Sequence, residues 1–177
     1  ENKDEFEVIA LREGDRLVGA IELRTGEEEL VFIASDAQLL RFQATQVRPQ
    51  GRPAGGMAGI KLSDGARVLS FTAVDASVDA VVVTVAGAAE TLDGLGLGTA
   101  KATPFDQYPR KGRATGGVRC QRFLKGEHEL VLAWAGAAPA RAATANGAPA
   151  ELPGRDPRRD GSGVPLAKEI AAVSGPA

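Results

Sequence analysis

Short apolar runs separated by turn residues dominate this chain, and no stretch before residue 165 keeps the three-to-four-residue spacing of an amphipathic helix. Arg16–Leu23 (RLVGAIEL) predicts a strand after a turn at Gly14–Asp15. Leu30–Ala34 (LVFIA) predicts a second and Leu39–Phe42 (LLRF) a third, with Ser35–Ala37 turning between them. Met57–Leu62 reads as a short strand ending at Asp64–Gly65, followed by Arg67–Val74 and the very apolar Ala80–Ala86. Residues 87–99 read as a long loop. Glu129–Trp134 and Arg141–Thr144 are further strand candidates, and Asn146–Gly147 is a hairpin turn. Leu166–Ala177 predicts a short helix or a disordered tail. Strands with turn signals every 8–12 residues or so define an all-β chain.

Two segments nearly repeat each other, GRPAGG at 51–56 and GRATGG at 112–117. Each follows a basic stretch with a proline, and each precedes a turn and a strand-like run. A period of about 60 residues points to modules stacked or arranged radially rather than to one irregular core. On this pattern the units are 8–56, 57–117 and a degenerate 118–164, with a tail at 165–177. In the third unit, Ser162–Gly163–Val164 of GRDPRRDGSGV matches Gly116–Gly117–Val118.

Charge sharpens the picture. The net charge of −2 over 177 residues argues mildly against nucleic acid as a partner, but it averages over a strong asymmetry. Residues 1–29 hold ten acids and four bases. Residues 41–61 hold Arg41, Arg48, Arg52 and Lys61 without an acid, and 108–126 hold Arg110, Lys111, Arg113, Arg119, Arg122 and Lys125, again without one. Both basic runs contain the repeated glycine motif. Glycines let a backbone approach a neighbouring surface and turn its amides toward an anion. Arginine forks suit phosphate. The alternative for each loop is a solvated turn with ordinary surface arginines.

Other features carry less. GLGLG at 94–98 lacks the dinucleotide-binding spacing and a following helix. His128 is the sole histidine and Cys120 the sole cysteine, so neither a metal cluster nor a Ser-His-Asp arrangement is expected, and no cofactor. Cys120 reads as a packed residue, His128 as a surface one, and Trp134 as packing in the third unit. Tyr108 either anchors its loop or touches a sugar-phosphate. Glu27–Glu29 reads as a solvated tip. One cysteine excludes an internal disulfide, and with no signal peptide this predicts a reducing, cytoplasmic setting. The longest nearly apolar stretch, Ala80–Ala89, is too short to span a bilayer. A start at Glu1 rather than Met predicts a fragment or processed chain.

Taken together, GDRLVGAIEL at 14–23, ELVFIASDAQLLRF at 29–42, the paired GR-x-x-GG loops and QYPRKGRATGGVRCQRFLKGE at 107–127 resemble the C-terminal domain of the A subunit of bacterial type IIA DNA topoisomerases, the gyrase and topoisomerase IV family. The resemblance runs over residues 8–134. It implies a propeller-like β-pinwheel of about three blades here, against the five or six usual in full domains, with a basic rim that binds and bends duplex DNA. It implies that strand breakage and ATP hydrolysis lie elsewhere, either in the remainder of the A subunit or in the ATPase B subunit. Nothing around Tyr108 matches the family's nucleophilic tyrosine. The Gln-Arg-Arg-Gly-Gly-Lys-Gly-like heptad needed for full chiral wrapping is absent, RKGRATGG at 110–117 being the nearest text. That departure favours a topoisomerase IV-like subunit or the later blades of a gyrase subunit.

The expected phosphate contacts are Arg41, Arg48, Arg52, Lys101, Arg110, Lys111, Arg113, Arg119 and Arg122, with Lys101 placed where Arg41 fell in the first unit. Strand alternation puts Arg119 and Gln121 on one face and Cys120 and Arg122 on the other, so the two arginines are not expected to be equally exposed. The rival reading is a propeller-like protein-interaction module whose basic loops hold an acidic partner. No cluster of titratable residues suggests an independent enzyme.

Overall fold

The computed structural model describes residues 6–52, 54–87 and 97–176. Its strands are β1 (Glu29–Ala34), β2 (Gln38–Gln43), β3 (Val68–Val74), β4 (Ala80–Gly87), β5 (Thr99–Pro104), β6 (Val118–Arg119), β7 (Glu129–Ala137), β8 (Arg141–Ala143), β9 (Pro149–Ala150), β10 (Val164–Pro165) and β11 (Ala172–Ser174). Short 3-10 turns follow β2 at Ala44–Gln46 and β5 at Phe105–Gln107. No helix among the described residues is long and apolar enough to cross a membrane. Residues 94–96 of the GLGLG stretch and most of the expected 87–99 loop lie outside the described residues.

The strands form three antiparallel sheets, ordered β3-β1-β2-β6, β10-β5-β4-β7 and β11-β8-β9. Sheet membership does not follow consecutive stretches of sequence. Each of the first two sheets is built on a local hairpin, β1–β2 or β4–β5. An outer strand from the next stretch pairs with one edge. A two-residue strand from much farther along closes the other edge, Val118 opposite Leu39 in the first sheet and Val164 opposite Ala100 in the second. The stretches 57–117 and 118–164 therefore each supply strands to more than one sheet. The match of Val164 to Val118, suggested by the sequence, is also a match of position in the fold.

Burial on both faces explains the unbroken apolar runs. Val31 and Ile33 of β1 join Val82 of β4, Phe105, Tyr108, Cys120 and Leu130 in a core between the first two sheets. Leu30 and Phe32 face the other way, with Leu40, Phe42, Ile60 and Phe71. Phe32 sits opposite Phe71 in the ladder with ring centroids 4.9 Å apart. The far face of the second sheet packs Val81, Val83 and Ala102 against Trp134 and Val173. Each fully buried side chain of this size contributes about 1.5–3 kcal/mol. Arg67 and Glu129 clasp the first two sheets at 2.7 Å, a half-exposed pair worth under about 1 kcal/mol.

Three local expectations need correction. Arg16–Leu23 is not a strand: it enters no ladder, and Leu17, Val18 and Ile21 are exposed. Met57–Leu62 also joins no sheet, although Lys61 donates to the Thr115 carbonyl. The tail is neither helix nor disordered, because Ala172–Ser174 pairs with β8 and Ile170 is buried in the third sheet's core. The open edge of β8 gives those backbone groups partners that a short, glycine-terminated helix would not.

The acidic tip is solvated only at Glu27. Glu28 and Glu29 are both buried. The Glu28 carboxylate accepts from the amides of Arg24, Thr25 and Gly26 at 2.7–2.9 Å, so the turn into β1 is built around it. These backbone donors, Thr25 foremost, hold its pKa at about 2. Folding therefore favours the carboxylate form. Its contribution is complete above the ordinary value of 4.5 and is lost as pH falls through about 2. In urea titrations the stability gap between the native chain and Glu28→Gln is expected to shrink as pH is lowered through that window. A pH-independent gap would show that the amide contacts do not select the charged form.

Gly117 is needed where the closing strand β6 begins. Its φ is +78°, and a Cβ there would lie 2.3 Å from the Leu39 carbonyl oxygen. Gly65 has the same backbone sign at +77° with nothing within 4 Å. Gly65→Ala is expected to cost only the left-handed strain, about 1–2 kcal/mol, and Gly117→Ala clearly more, about 3 kcal/mol or above. Urea denaturation of the two variants measures the difference.

Candidate nucleic-acid interface

The segment 109–119 crosses the edge of the first sheet and is fixed there by backbone bonds. Lys111 donates to the Arg41 carbonyl at 3.0 Å, Ala114 to that of Gly59 at 2.6 Å, and Lys61 to that of Thr115 at 3.0 Å. Arg113 donates from its main chain to Gln46 Oε1 and from Nη1 to the Ala58 carbonyl, at 3.2 and 2.6 Å. Tyr108 is the anchor: it is 1% exposed, and burial raises its phenol pKa well above the ordinary range. It therefore holds the loop and cannot meet a ligand or act as a nucleophile.

The nine expected contacts fall into three groups. Lys111, Arg119 and Arg122 are exposed and make no ion pair among the described residues; Arg48 and Arg52 are exposed on the 47–56 loop, with Arg52 stacked on Phe6. Arg119 and Arg122 are exposed together, contrary to the alternation argument, because the ladder ends at Arg119. Cys120 and Gln121 then both turn inward, at 0% exposure. Burial pushes the Cys120 thiol up to about 12.

A second group is spent on the protein itself. Arg41 lies over the Phe105 ring at 4.4 Å and donates to the Phe105 carbonyl, joining the two sheets. Desolvation lowers its pKa, opposed by the charge of Glu29. Arg110 places Nε 2.5 Å from Oε1 of the buried Glu29 while half of its side chain stays in solvent. Without it, Glu29 would be an uncompensated buried charge. Arg113 is tied to Ala58 as above. Arg41, Arg110, Asp79 and Asp106 line a shallow cleft of about 440 Å³.

Lys101 forms the third group. It is 2% exposed and points inward, where Nζ donates to the Thr103 hydroxyl and, at 3.0 Å, to the Arg159 carbonyl. Burial lowers its pKa. The reason is register. Lys111 donates to the Arg41 carbonyl and Asp156 to that of Ala102, the same bond in successive sheets. Ala102 is thus the counterpart of Arg41, and Lys101 that of the buried Leu40. A slip of one residue turns every side chain to the other face.

The loop at 154–163 repeats the geometry of 109–117, but its arginines are offset by Asp156 and Asp160. Arg155 makes two 2.8 Å bonds to Asp79, and Arg158 is bound to Asp156 at 3.0 Å. The sequence marks this loop through its glycines, but its acids, Asp156 and Asp160, leave no acid-free basic run there.

A propeller-like, all-β module with an arginine-rich loop edge is the class that the fold defines. A family model described as the DNA gyrase C-terminal domain, beta-propeller, matches residues 28–75 and 97–133. The chain is 33% identical over 125 residues to the DNA gyrase A subunit of Mycolicibacterium smegmatis, covering 70% of this chain and 13% of that protein. Against the gyrase A subunit of Escherichia coli K12 it is 34% identical over 110 residues, or 62% and 11%. Among solved structures, the C-terminal domain of DNA topoisomerase IV superposes with a TM-score of 0.70 at 19% identity, covering 94% of this chain and 52% of that one. The E. coli ParC C-terminal domain gives 0.67 at 14%, covering 94% and 67%. The chain belongs to the family of C-terminal domains of type IIA topoisomerase A subunits, and it spans only about an eighth of the length of the curated relatives it matches.

Because Lys101 serves the core, Lys101→Met is expected to leave stability within about 1 kcal/mol or raise it, since an apolar side chain of similar length removes a buried charge. Arg41→Ala, which strips a guanidinium from a cross-sheet stack, is expected to lower stability by about 1–2 kcal/mol. Urea midpoints of the two variants decide. A large loss in Lys101→Met would mean that its two hydrogen bonds outweigh the desolvation.

Proposed function

We propose that this module binds duplex DNA through its phosphates, without reading bases, as the DNA-holding part of a type II topoisomerase A subunit. The observation that carries the reading is the exposed set Arg48, Arg52, Lys111, Arg119 and Arg122, without ion pairs among the described residues, the last three on a segment pinned to the sheet edge. Phosphate contacts of this kind position a duplex and release counterions, and the favourable term offsets the cost of bending it. Bending would present a distant segment of the same DNA for strand passage. Cutting and religation would belong to the rest of the A subunit, with ATP hydrolysis in an ATPase B subunit. The acid-rich first 29 residues keep the affinity modest.

The refined contact set differs from the nine residues read from the sequence. Lys101 is excluded by burial, and Arg41, Arg110 and Arg113 contribute field more than contact. With about five phosphates neutralised, log K is expected to fall against log salt with a slope of about −4.5, equally for two unrelated duplexes. Lys111→Ala/Arg119→Ala/Arg122→Ala should reduce the slope to about −2, while Lys101→Met leaves it unchanged. Fluorescence anisotropy across a salt series measures both. A triple variant that binds as the native chain does would sink the assignment. Absence of binding at low salt, with capture by an acidic protein surface, would instead favour the interaction-module reading.

A further inference from the structure

Two segments strap the first two sheets, 109–117 and 154–163, and the arginine at the head of each is taken by an acid. Lys111 donates to the Arg41 carbonyl and Asp156 to that of Ala102, so Arg110 and Arg155 hold the same place in successive units. Arg110 lies 2.5 Å from Glu29 through Nε, and Arg155 makes two 2.8 Å bonds to Asp79. The two acids are not equivalents. Val31 pairs with Arg41 and Val83 with Ala102, which sets Val81 at the place of Glu29 and puts Asp79 two residues before it.

The fold does not ask for an acid at either place. Val81 fills the position of Glu29 as a buried side chain. Glu29 is 1% exposed, and its Oε2 has no hydrogen-bond partner among the described residues. A buried carboxylate with so few donors costs stability that a valine would not. Asp79 is 66% exposed, where an ion pair adds little. Nor are the pairs needed to hold the straps, because the backbone bonds from Lys111 and Asp156 stand one residue away. What recurs in both units is a neutralised arginine, reached through different acids.

We propose that Glu29 and Asp79 limit the phosphate affinity of this edge, each withholding from a duplex the arginine that heads a strap. The inference rests on the phosphate-binding reading above and adds what sets its strength. Arg110 is half exposed beside Lys111, so its pairing is what keeps it from a phosphate of its own. A duplex offers it an exposed ion pair, which is the weak kind. Drawing Arg110 across would leave Glu29 buried without its counter-ion, which costs more than the new pair returns. The carboxylate therefore keeps the arginine when the duplex arrives. At Asp79 the two parallel bonds of the arginine fork give a similar advantage. That pairing holds the Asp79 carboxyl below its ordinary pKa and the Arg155 guanidinium above its own.

The test measures the salt slope of duplex binding for the full chain with Glu29→Gln, with Arg110→Ala and with both. Glu29→Gln is expected to steepen the slope by about 0.9, one further phosphate, and added Arg110→Ala to remove that gain. The loss on Arg110→Ala is then larger in the Glu29→Gln background than in the native chain. Asp79→Asn and Arg155→Ala form a second cycle at an exposed pair with the same expectation, and it decides the matter where Glu29→Gln fails to fold. An arm without DNA uses phenylglyoxal, which attacks unpaired guanidinium groups, and locates the adducts by mass spectrometry. Arg110 in Glu29→Gln and Arg155 in Asp79→Asn are expected to react about threefold faster or more, with Arg48 unchanged. Unchanged reactivity at both arginines would show that the acids withhold nothing. Steepening that survives Arg110→Ala and Arg155→Ala would reflect net charge alone and would overturn the inference, as would an unchanged slope in both acid variants. Faster phenylglyoxal reaction with no duplex binding by any form, the native chain included, would overturn the phosphate reading and the inference with it.

Discussion

The open edge of the β1–β2 hairpin is the constraint on which the rest of the molecule depends. A hairpin edge left bare exposes a row of unpaired amides and carbonyls to any passing strand. Here the edge is closed by Val118–Arg119, brought back across the sheet after the second hairpin has been made. That return forces several features at once. It needs Gly117, because no side chain fits over the Leu39 carbonyl. It needs a buried anchor, which Tyr108 provides. It turns 109–117 into a taut strap pinned at Arg41 and Gly59. The second hairpin is closed in the same way by Val164–Pro165, so successive units cannot fold independently of one another.

The strap also decides which charges face outward. A buried cation costs several kcal/mol unless its donors are met. Lys101 meets that requirement through Thr103 and Arg159, and Glu29 has its counter-ion in Arg110. Arg41 shares its guanidinium between a ring and a carbonyl. These groups hold sheets together, and the fold would lose stability if a ligand drew them away. Lys111, Arg119 and Arg122 have no such duties, which is why they and not the most buried cations are the groups open to an anion.

Much of the fold was legible in the sequence. LVFIA, LLRF, the run ending in Val74, AVVVTVA and ELVLAW are apolar enough on both faces to be strands whatever their partners, and all of them are. RLVGAIEL has the same pattern and is not paired, because periodicity reports what a segment suits and not whether a neighbour is present. The two-residue strands β6 and β10 are too short to carry a period. The glycine motif before β6 and its match before β10 mark them, and the alternation read at 119–122 fails because the ladder stops at Arg119. In the site, the basic loops were legible as charge without acids. Lys101 was not, since an alignment by spacing to Arg41 and one by hydrogen-bond register differ by a single residue, and that residue decides between rim and core. Glu28 and Glu29 misled for a related reason: a run of acids looks solvated until amides and an arginine are folded onto it.

The third loop separates what the fold dictates from what it permits. Residues 154–163 cross the second sheet with two of the backbone bonds that 109–117 make across the first, and even the arginine pair recurs, Arg155 on Asp79 in place of Arg110 on Glu29. Yet Asp156 neutralises Arg158 where the earlier strap leaves Lys111 alone. Closing a sheet therefore demands a glycine ahead of the closing strand, Gly117 or Gly163, and the crossing geometry, but places no demand on net charge. A basic surface on one strap and a self-paired one on the next cannot both follow from folding. The unpaired cations of 109–122 are the part of the sequence that the architecture leaves unexplained, and an anionic ligand is what would explain them.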